Sequence, residues 1–453
     1  MTDTATKKLF GTDGIRGLAN TPPLDPETLV ELGAVIGSLV REQSGDTAGV
    51  LLAHDGRLSA EMIRAALTAG LLSQGLGTFD AGLCTTPALA HETRLGGFAA
   101  GIMISASHNP AGDNGIKLFG GDGAKIADEF EAEVEANMHA QPLERPHRQP
   151  GRGRRLDLGA ARYRAFLTDA FEDLDLAGTR MFIDCANGAG SQLAPDALES
   201  FGAEVVRCNN TPDGVNINKG CGALYPDQVA ARVAAEGCRL GLCLDGDGDR
   251  AIFIDELGNV VHGDAVLTLL GLEWKRTGKL DGDAVAVTVM SNLGLKKRLA
   301  KDGVSVVETP VGDRSVMAAM REHGICLGGE NSGHVLFGEE HHYAGDGLYT
   351  GLRLLGIMND TGATLSELAA CFEPFPQLLV NVPVRNKPKL MSLPLVVQAV
   401  KESEVELAGD GRVVLRYSGT ENLCRVMVEA PTDDVVQRLV NRIVVAVKQS
   451  LGA

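Results

Sequence analysis

Strand-length apolar runs alternate with amphipathic stretches along most of this chain. Val50-Leu-Leu-Ala53, Gly77-Thr-Phe-Asp80 and Ala99-Ala-Gly-Ile-Met-Ile104 are such runs. Helical periodicity fills the intervals at about 59–73 and 86–94. Strand followed by helix, many times over, predicts an α/β fold.

The pattern repeats weakly within itself. Leu51-Leu-Ala-His-Asp-Gly56, Met181-Phe-Ile-Asp-Cys-Ala-Asn-Gly188 and Val285-Ala-Val-Thr-Val-Met-Ser-Asn292 each run from a strand into a polar turn and on into a helix. Three copies of one α/β unit account for this. Two breaks interrupt the series. Residues 141–155 are rich in Pro and Arg and read as a linker, and Glu373-Pro-Phe-Pro376 marks a second boundary. Beyond it the pattern predicts a smaller α+β segment, with a helix near 390–403, strands near 412–416 and 424–430, and a helix over about 432–449. With a softer boundary near 256, the expected units are 1–150, 156–256, 257–371 and 372–453.

Composition narrows the function. The 453 residues are 44% hydrophobic and 22% charged, as in ordinary globular proteins. A net charge of −17 argues against nucleic acid or an anionic membrane as partner. Near Met1 there is no apolar run of the signal-peptide kind, and no stretch approaches the ~18 apolar residues of a membrane span. Nine dispersed cysteines without a CxxC pair argue against zinc and fit a reducing cytoplasm.

The densest chemistry lies in Leu244-Asp245-Gly246-Asp247-Gly248-Asp249-Arg250. Carboxylates this close repel unless a cation neutralises them, and their oxygens suit Mg²⁺ or Ca²⁺. An EF-hand is the nearest rival, with Asp245, Asp247 and Asp249 at loop positions 1, 3 and 5 and Glu256 at 12. Position 6, however, needs Gly and holds Arg250, and the flanks 241–244 and 251–254 read as strands. A metal site at a hairpin tip is therefore expected, with Arg250 placed to meet an anion.

Residues 102–110 end an apolar strand in Ser105-Ala-Ser107-His108-Asn109-Pro110. A serine at the C-terminal end of a strand sits where α/β proteins bind ligands. A hydrolase would need the GxSxG elbow, which is absent, and in extended chain His108 would point away from Ser107. Beside a metal, Ser107 makes better sense as a phosphoryl carrier. Lys117, close behind in Asp113-Asn-Gly-Ile-Lys117, could steady a phosphate or, with a lowered pKa, move a proton.

Four further loops are polar. Arg416-Tyr417-Ser418-Gly419-Thr420 with Arg425 reads as a phosphate grip of hydroxyls between guanidinium groups. Glu330, beside Ser332 and His334 on a Gly-rich loop, could accept hydrogen bonds from sugar hydroxyls. Asp313, in Thr309-Pro-Val-Gly-Asp-Arg314, and Arg16, in Gly11-Thr-Asp-Gly-Ile-Arg-Gly17, are ambiguous when taken alone.

Taken in order, the motifs at 11–17, 107–110, 245–250, 329–334 and 416–421 resemble the α-D-phosphohexomutase family, over the whole chain. Residues 104–110 and 309–314 and the chain length are most similar to its bacterial branch that acts on glucosamine phosphates. Asn331 and Asn422 stand where that branch usually has Gln and Pro. The resemblance implies three related α/β domains and a smaller α+β lid domain around a central cleft. It implies one Mg²⁺ on Asp245, Asp247, Asp249 and a phosphorylated Ser107. It also implies interconversion of glucosamine 6-phosphate and glucosamine 1-phosphate through glucosamine 1,6-bisphosphate, feeding UDP-N-acetylglucosamine and cell-wall synthesis. Ser107, His108, Lys117, Arg16 and Arg250 are then the catalytic set. Asp313, Glu330, Ser332, His334, Arg416, Ser418, Gly419, Thr420 and Arg425 bind the sugar phosphate, and a homodimer is expected. The rivals are a glucose or mannose phosphate mutase of the same family and a non-catalytic metal- or sugar-phosphate-binding protein.

Overall fold

The structure, a computed structural model, describes residues 8–11, 13–45, 48–140, 149–156, 160–418 and 422–452. The first sheet holds β1 (Ile15–Leu18), β2 (Gly49–His54), β3 (Gly77–Leu83), β4 (Ala100–Ile104), β5 (Asp113–Gly120) and β6 (Gly153–Arg155), in the order β1-β5-β4-β2-β3-β6. The second holds β7 (Arg180–Asp184), β8 (Glu204–Cys208), β9 (Leu240–Leu244), β10 (Ala251–Ile254) and β11 (Val260–Val261), in the order β11-β10-β9-β7-β8. The third holds β12 (Ala284–Thr288), β13 (Ser305–Thr309), β14 (Leu327–Gly329) and β15 (Val335–Phe337), in the order β13-β12-β14-β15. Strands such as β4, β9 and β12 are buried at every position, as the strands of a sheet covered on both faces must be.

One arrangement recurs in all three sheets. The unit's first strand (β2, β7 or β12) lies parallel between its second (β3, β8 or β13) and its third (β4, β9 or β14). A fourth strand (β5, β10 or β15) then returns antiparallel on the third. The segments read as a repeat open these units, with Leu51 on β2, Met181 on β7 and Val285 on β12. Three predicted loops consequently occupy one structural position. Residues 105–112, 245–250 and 330–334 each join the third strand to the fourth, beyond the C-terminal ends of the parallel strands, where ligands bind in α/β sheets.

The first three units also share a core. Leu51, Met103, Met181, Leu242, Val285 and Leu352 belong to one apolar cluster. The last unit has its own, built on Val382, Val426, Leu439 and Ile443. Its sheet, in the order β16-β18-β17, comprises β16 (Gln377–Pro383), β17 (Arg412–Tyr417) and β18 (Leu423–Glu429), backed by helices Pro394–Leu407 and Asp433–Leu451. Asn292 ties the two parts together: its side chain accepts from Phe375 N at 2.9 Å and donates to Phe375 O at 3.0 Å.

Two segments differ from the sequence expectation. The segment read as a linker ends in β6, which pairs with β3 and forms the edge of the sheet; residues 141–148 lie outside the described residues. Gly153-Arg-Arg155 is exposed throughout and joins the sheet through its backbone, so it carries no apolar alternation to detect. In the last unit β16 follows the proline boundary unpredicted, and Pro383 ends it on an edge, where a missing N–H is tolerated.

Candidate active site

Asp245, Asp247 and Asp249 are all buried, and one oxygen from each lies within 4.8 Å of the others. The hairpin register Leu244↔Ala251 puts them between strands rather than helices, which removes the EF-hand reading. Glu256 lies in the next turn, where its carboxylate accepts from Ser366. The two glycines have different jobs. Gly248 has φ +74°, which a turn without Cβ strain requires. At Gly246 a Cβ would lie 2.6 Å from the Ser107 carbonyl oxygen, so this glycine lets the serine loop come close.

That approach joins the first two units. Ser107 Oγ donates to Asp245 Oδ2 at 2.6 Å. Thr86 Oγ1 donates to Asp247 Oδ2 at 2.6 Å, and Thr86 N to Asp247 O at 2.9 Å. Lys117, on β5, donates to Asp247 Oδ2 and Asp249 Oδ2, both at 2.8 Å, and lies 3.2 Å from Asp13 Oδ2. Burial opposes charge on the Lys117 ammonium, yet Asp13, Asp247 and Asp249 outweigh it and raise its pKa well above the usual lysine value. The lowered pKa considered for Lys117 is therefore not met; three carboxylates hold it charged.

Burial, with Asp249 and Asp247 beside it, pushes the Asp245 carboxyl up to about 8. Asp247 Oδ1 and Asp249 Oδ1 are buried and accept no hydrogen bond. Clustered hard oxygens, two of them without a hydrogen bond, together with the Ser107 oxygen fit a divalent cation such as Mg²⁺.

His108 also departs from expectation. Its Nδ1 lies 3.3 Å from Ser107 Oγ, because Ser107 is not extended but has φ +52°. Burial, then the guanidinium groups of Arg250 and Arg16, lower the His108 pKa to about 4, so the ring is neutral near pH 7. Arg16, on β1, donates to Ala106 O at 3.1 Å and pairs with Asp13 at 2.5 Å. Burial opposes charge on Arg250, but Asp249, Asp245 and Glu330 outweigh it and raise its pKa.

The third unit closes the other side. His334 Nδ1 is 3.4 Å from Asp249 Oδ1, and its Nε2 is 3.6 Å from Asp313 Oδ2. Burial works against the imidazolium, yet Asp249 and Asp313 prevail and raise its pKa. Gly345 permits this placement, since a Cβ there would lie 2.3 Å from the ring. Glu330 accepts from Gly312 N at 3.2 Å, and Ser332 Oγ is buried without a partner. A cavity of about 260 Å³ lies among His108, Asp245, Arg250, Ser332, His262 and Leu224.

Arg416 and Arg425 come from the last unit and face each other directly across β17 and β18. Like charges so placed repel, and an anion between them relieves the repulsion. Burial, then Arg425, lowers the Arg416 pKa, while the Glu330 carboxylate opposes that shift. Ser418 is buried and donates its amide to Leu423 O at 2.9 Å. Gly419 and Thr420 lie outside the described residues.

Sequence reasoning missed Asp13, Arg57, Thr86, Lys125 and Asn218. Asp13 lies inside the Gly11–Gly17 motif, and Arg57 directly follows the Leu51–Gly56 repeat segment. Lys125 pairs with Asp13 at 2.5 Å and also with Asp313, which links the first and third units. Neither Thr86, Lys125 nor Asn218 stands in a motif, so nothing short of the fold identifies them.

Four family descriptions match the chain in order. They are the phosphoglucomutase/phosphomannomutase alpha/beta/alpha domains I (residues 7–145), II (161–258) and III (262–375), and the C-terminal domain (379–446). A phosphoglucosamine mutase of Lacticaseibacillus casei is 46% identical, over 98% of this chain and 99% of that one. The crystal structure of a phosphoglucomutase/phosphomannomutase family protein from Burkholderia thailandensis is similar at 25% identity and a TM-score of 0.80, covering 98% and 97% of the two chains. An N-acetylphosphoglucosamine mutase from Aspergillus fumigatus, solved with GlcNAc-6P and magnesium, shares the fold at 20% identity and a TM-score of 0.67, covering 98% and 96%. With four domain families spanning nearly its whole length and a full-length relative this similar, the chain belongs to the phosphoglucomutase/phosphomannomutase family.

Proposed function

We propose that the protein has Mg²⁺-dependent phosphoglucosamine mutase activity, interconverting glucosamine 6-phosphate and glucosamine 1-phosphate. The observation that carries this reading is the 2.6 Å contact between Ser107 Oγ and Asp245, in a triad with two buried oxygens that accept no hydrogen bond. The 46% identity to a phosphoglucosamine mutase directs the choice of sugar.

In this reading Ser107 is phosphorylated in the active enzyme. The phosphoryl group leaves Ser107 Oγ for the sugar's free hydroxyl, so the P–Oγ bond breaks, a P–O bond to the sugar forms, and the hydroxyl proton ends on Ser107. Neutral His108, 3.3 Å from Oγ, carries that proton, while Lys117 and Arg16 hold positive charge against the moving phosphoryl group. Mg²⁺ on Asp245, Asp247, Asp249 and the phosphoserine would neutralise that group and make its phosphorus more electrophilic. Glucosamine 1,6-bisphosphate then turns over and returns its other phosphoryl group to Ser107. Arg416, Ser418 and Arg425, with Gly419 and Thr420, grip the non-reacting phosphate, while Glu330, Ser332, His334 and Asp313 read the hydroxyls. Arg250 faces the phosphoryl from the metal loop.

The test is a comparison of rates on glucosamine, glucose and mannose phosphates. The highest kcat/KM falls on glucosamine phosphates; a preference for mannose or glucose phosphates overturns the choice of sugar and leaves the family chemistry. The expected homodimer is checked by light scattering, where a monomer mass overturns it.

A further inference from the structure

The serine loop is held by its main chain from two sides, by groups that do not touch the reacting atoms. From the first unit comes Arg57, which is 2% exposed. Its Nε pairs with Asp55 at 2.8 Å, Nη2 donates to Ser107 O at 2.9 Å and to Asn109 O at 2.8 Å, and Nη1 donates to Asp113 O at 2.9 Å and to Pro110 O. Every one of its five N–H donors is thereby engaged. Asp55 also accepts from Ser105 Oγ at 2.7 Å, and Ser105 Oγ in turn accepts from Ser107 N at 2.8 Å.

From the second unit comes Asn218. Its side-chain amide donates to the same two carbonyls, to Ser107 O at 2.8 Å and to Asn109 O at 3.1 Å. Asn218 is itself in the left-handed region, at φ +58°, and its N–H is fixed to Ala186 O at 2.9 Å. A Cβ on Gly246 would lie 2.9 Å from the Asn218 amide nitrogen, so the metal loop leaves room for this contact too.

The held conformation is one that serine rarely adopts. At φ +52° Ser107 brings Oγ to Asp245 and His108 to Oγ, contacts that an extended loop does not make. Strained backbone persists where its surroundings over-determine it, and four hydrogen bonds on the carbonyls of Ser107 and Asn109 do so here. We propose that Arg57 and Asn218 are positioning residues, a two-sided clamp that fixes Ser107 in its left-handed conformation. Asn218 makes the clamp depend on the docking of the metal-loop unit against the serine-loop unit. The inference rests on the reading of Ser107 as the phosphoryl carrier.

Two variants at one site test it. Asn218→Gly keeps the left-handed backbone and removes only the donors; Asn218→Asp keeps the shape and turns a carboxylate oxygen toward the two carbonyls. Full-length protein is given glucosamine 1,6-bisphosphate and Mg²⁺, and the adduct on Ser107 is followed by intact mass beside steady-state kinetics. The clamp predicts a fall of about tenfold in phosphorylation rate and kcat for Asn218→Gly and about a hundredfold for Asn218→Asp, with KM within about threefold. Arg57→Lys keeps a charge beside Asp55 but cannot span four carbonyls, and gives the same split. Wild-type rates in folded Asn218→Gly overturn the clamp alone, as does a rise in KM at unchanged kcat. Failure of the wild-type protein to take up phosphoryl overturns the carrier reading and the clamp with it.

Discussion

The cleft between the first three units and the arginine pair of the last unit meet the same problem, strong charge at close range, in opposite ways. In the cleft Lys117 sits among Asp13, Asp247 and Asp249, and Lys125 between Asp13 and Asp313. Opposite charges there are interleaved, buried or half-buried, and drawn from three units that share one core. On the last unit Arg416 and Arg425 set like charges against each other, on a sheet with a core of its own. The contrast separates two tasks. A reacting centre must be rigid before the substrate arrives, because misplacement at the transition state costs rate. A phosphate grip has to take and release its anion, and a repulsion that the anion relieves favours binding without fixing the empty state.

Substitutions in the two regions sharpen that division. Ser107→Ala removes the group that stores the phosphoryl, and steady turnover falls by at least about a thousandfold while the melting temperature changes little. Retention of activity in a coupled assay breaks the account of the cleft. Next in size is Asp247→Asn, which takes one oxygen anion from the triad. It weakens Mg²⁺ binding by at least about tenfold in calorimetry and leaves Lys117 with one fewer counter-charge. Arg416→Ala belongs to the other region and acts differently, raising KM by about tenfold or more with kcat within a few-fold. An equal loss of kcat would place Arg416 in the reacting centre instead.

The smallest effect is one of pH, away from both regions. His91 Nε2 lies 2.7 Å from His341 Nδ1, and His341 Nε2 lies 2.8 Å from Asp346, in a buried chain linking the first and third units. Burial, then the neighbouring His341, pushes the His91 pKa down to about 2. An unfolded histidine titrates near ~6.5. Below that pH the unfolded chain binds a proton that the native state refuses. This contribution to stability is therefore complete above about 6.5 and is lost as the pH falls toward 2. Chemical denaturation between pH 4 and 6 gives His91→Phe a shallower slope than wild type, by up to about 1.4 kcal/mol per pH unit. Parallel slopes show that His91 does not carry the titration.

Much of the fold and of the site was legible because periodicity and glycine-rich motifs are local. Strands β2, β7 and β12 were visible as apolar runs before polar turns, and Asp245, Asp247 and Asp249 as an unusual spacing. The edge strand Gly153–Arg155 was hidden because backbone pairing leaves no side-chain pattern. The position of His108 was hidden because it follows a left-handed serine, where the alternation of extended chain does not hold. The charge state of Lys117 is not legible locally, because its three carboxylate neighbours, Asp13, Asp247 and Asp249, are distant in sequence. Asn218 acts through a hydrogen bond that spans 111 positions, and no motif encodes such a contact.

A single turnover tests directly whether Ser107 carries the phosphoryl group. Protein labelled at the Ser107 phosphoryl group is mixed with excess glucosamine 6-phosphate in the presence of Mg²⁺, beside parallel reactions with glucose 6-phosphate and mannose 6-phosphate. If Ser107 is the carrier, the label leaves it for glucosamine phosphates, faster than for the other two sugars and only with the metal present. Label that stays on the protein, or that never enters at Ser107, contradicts it.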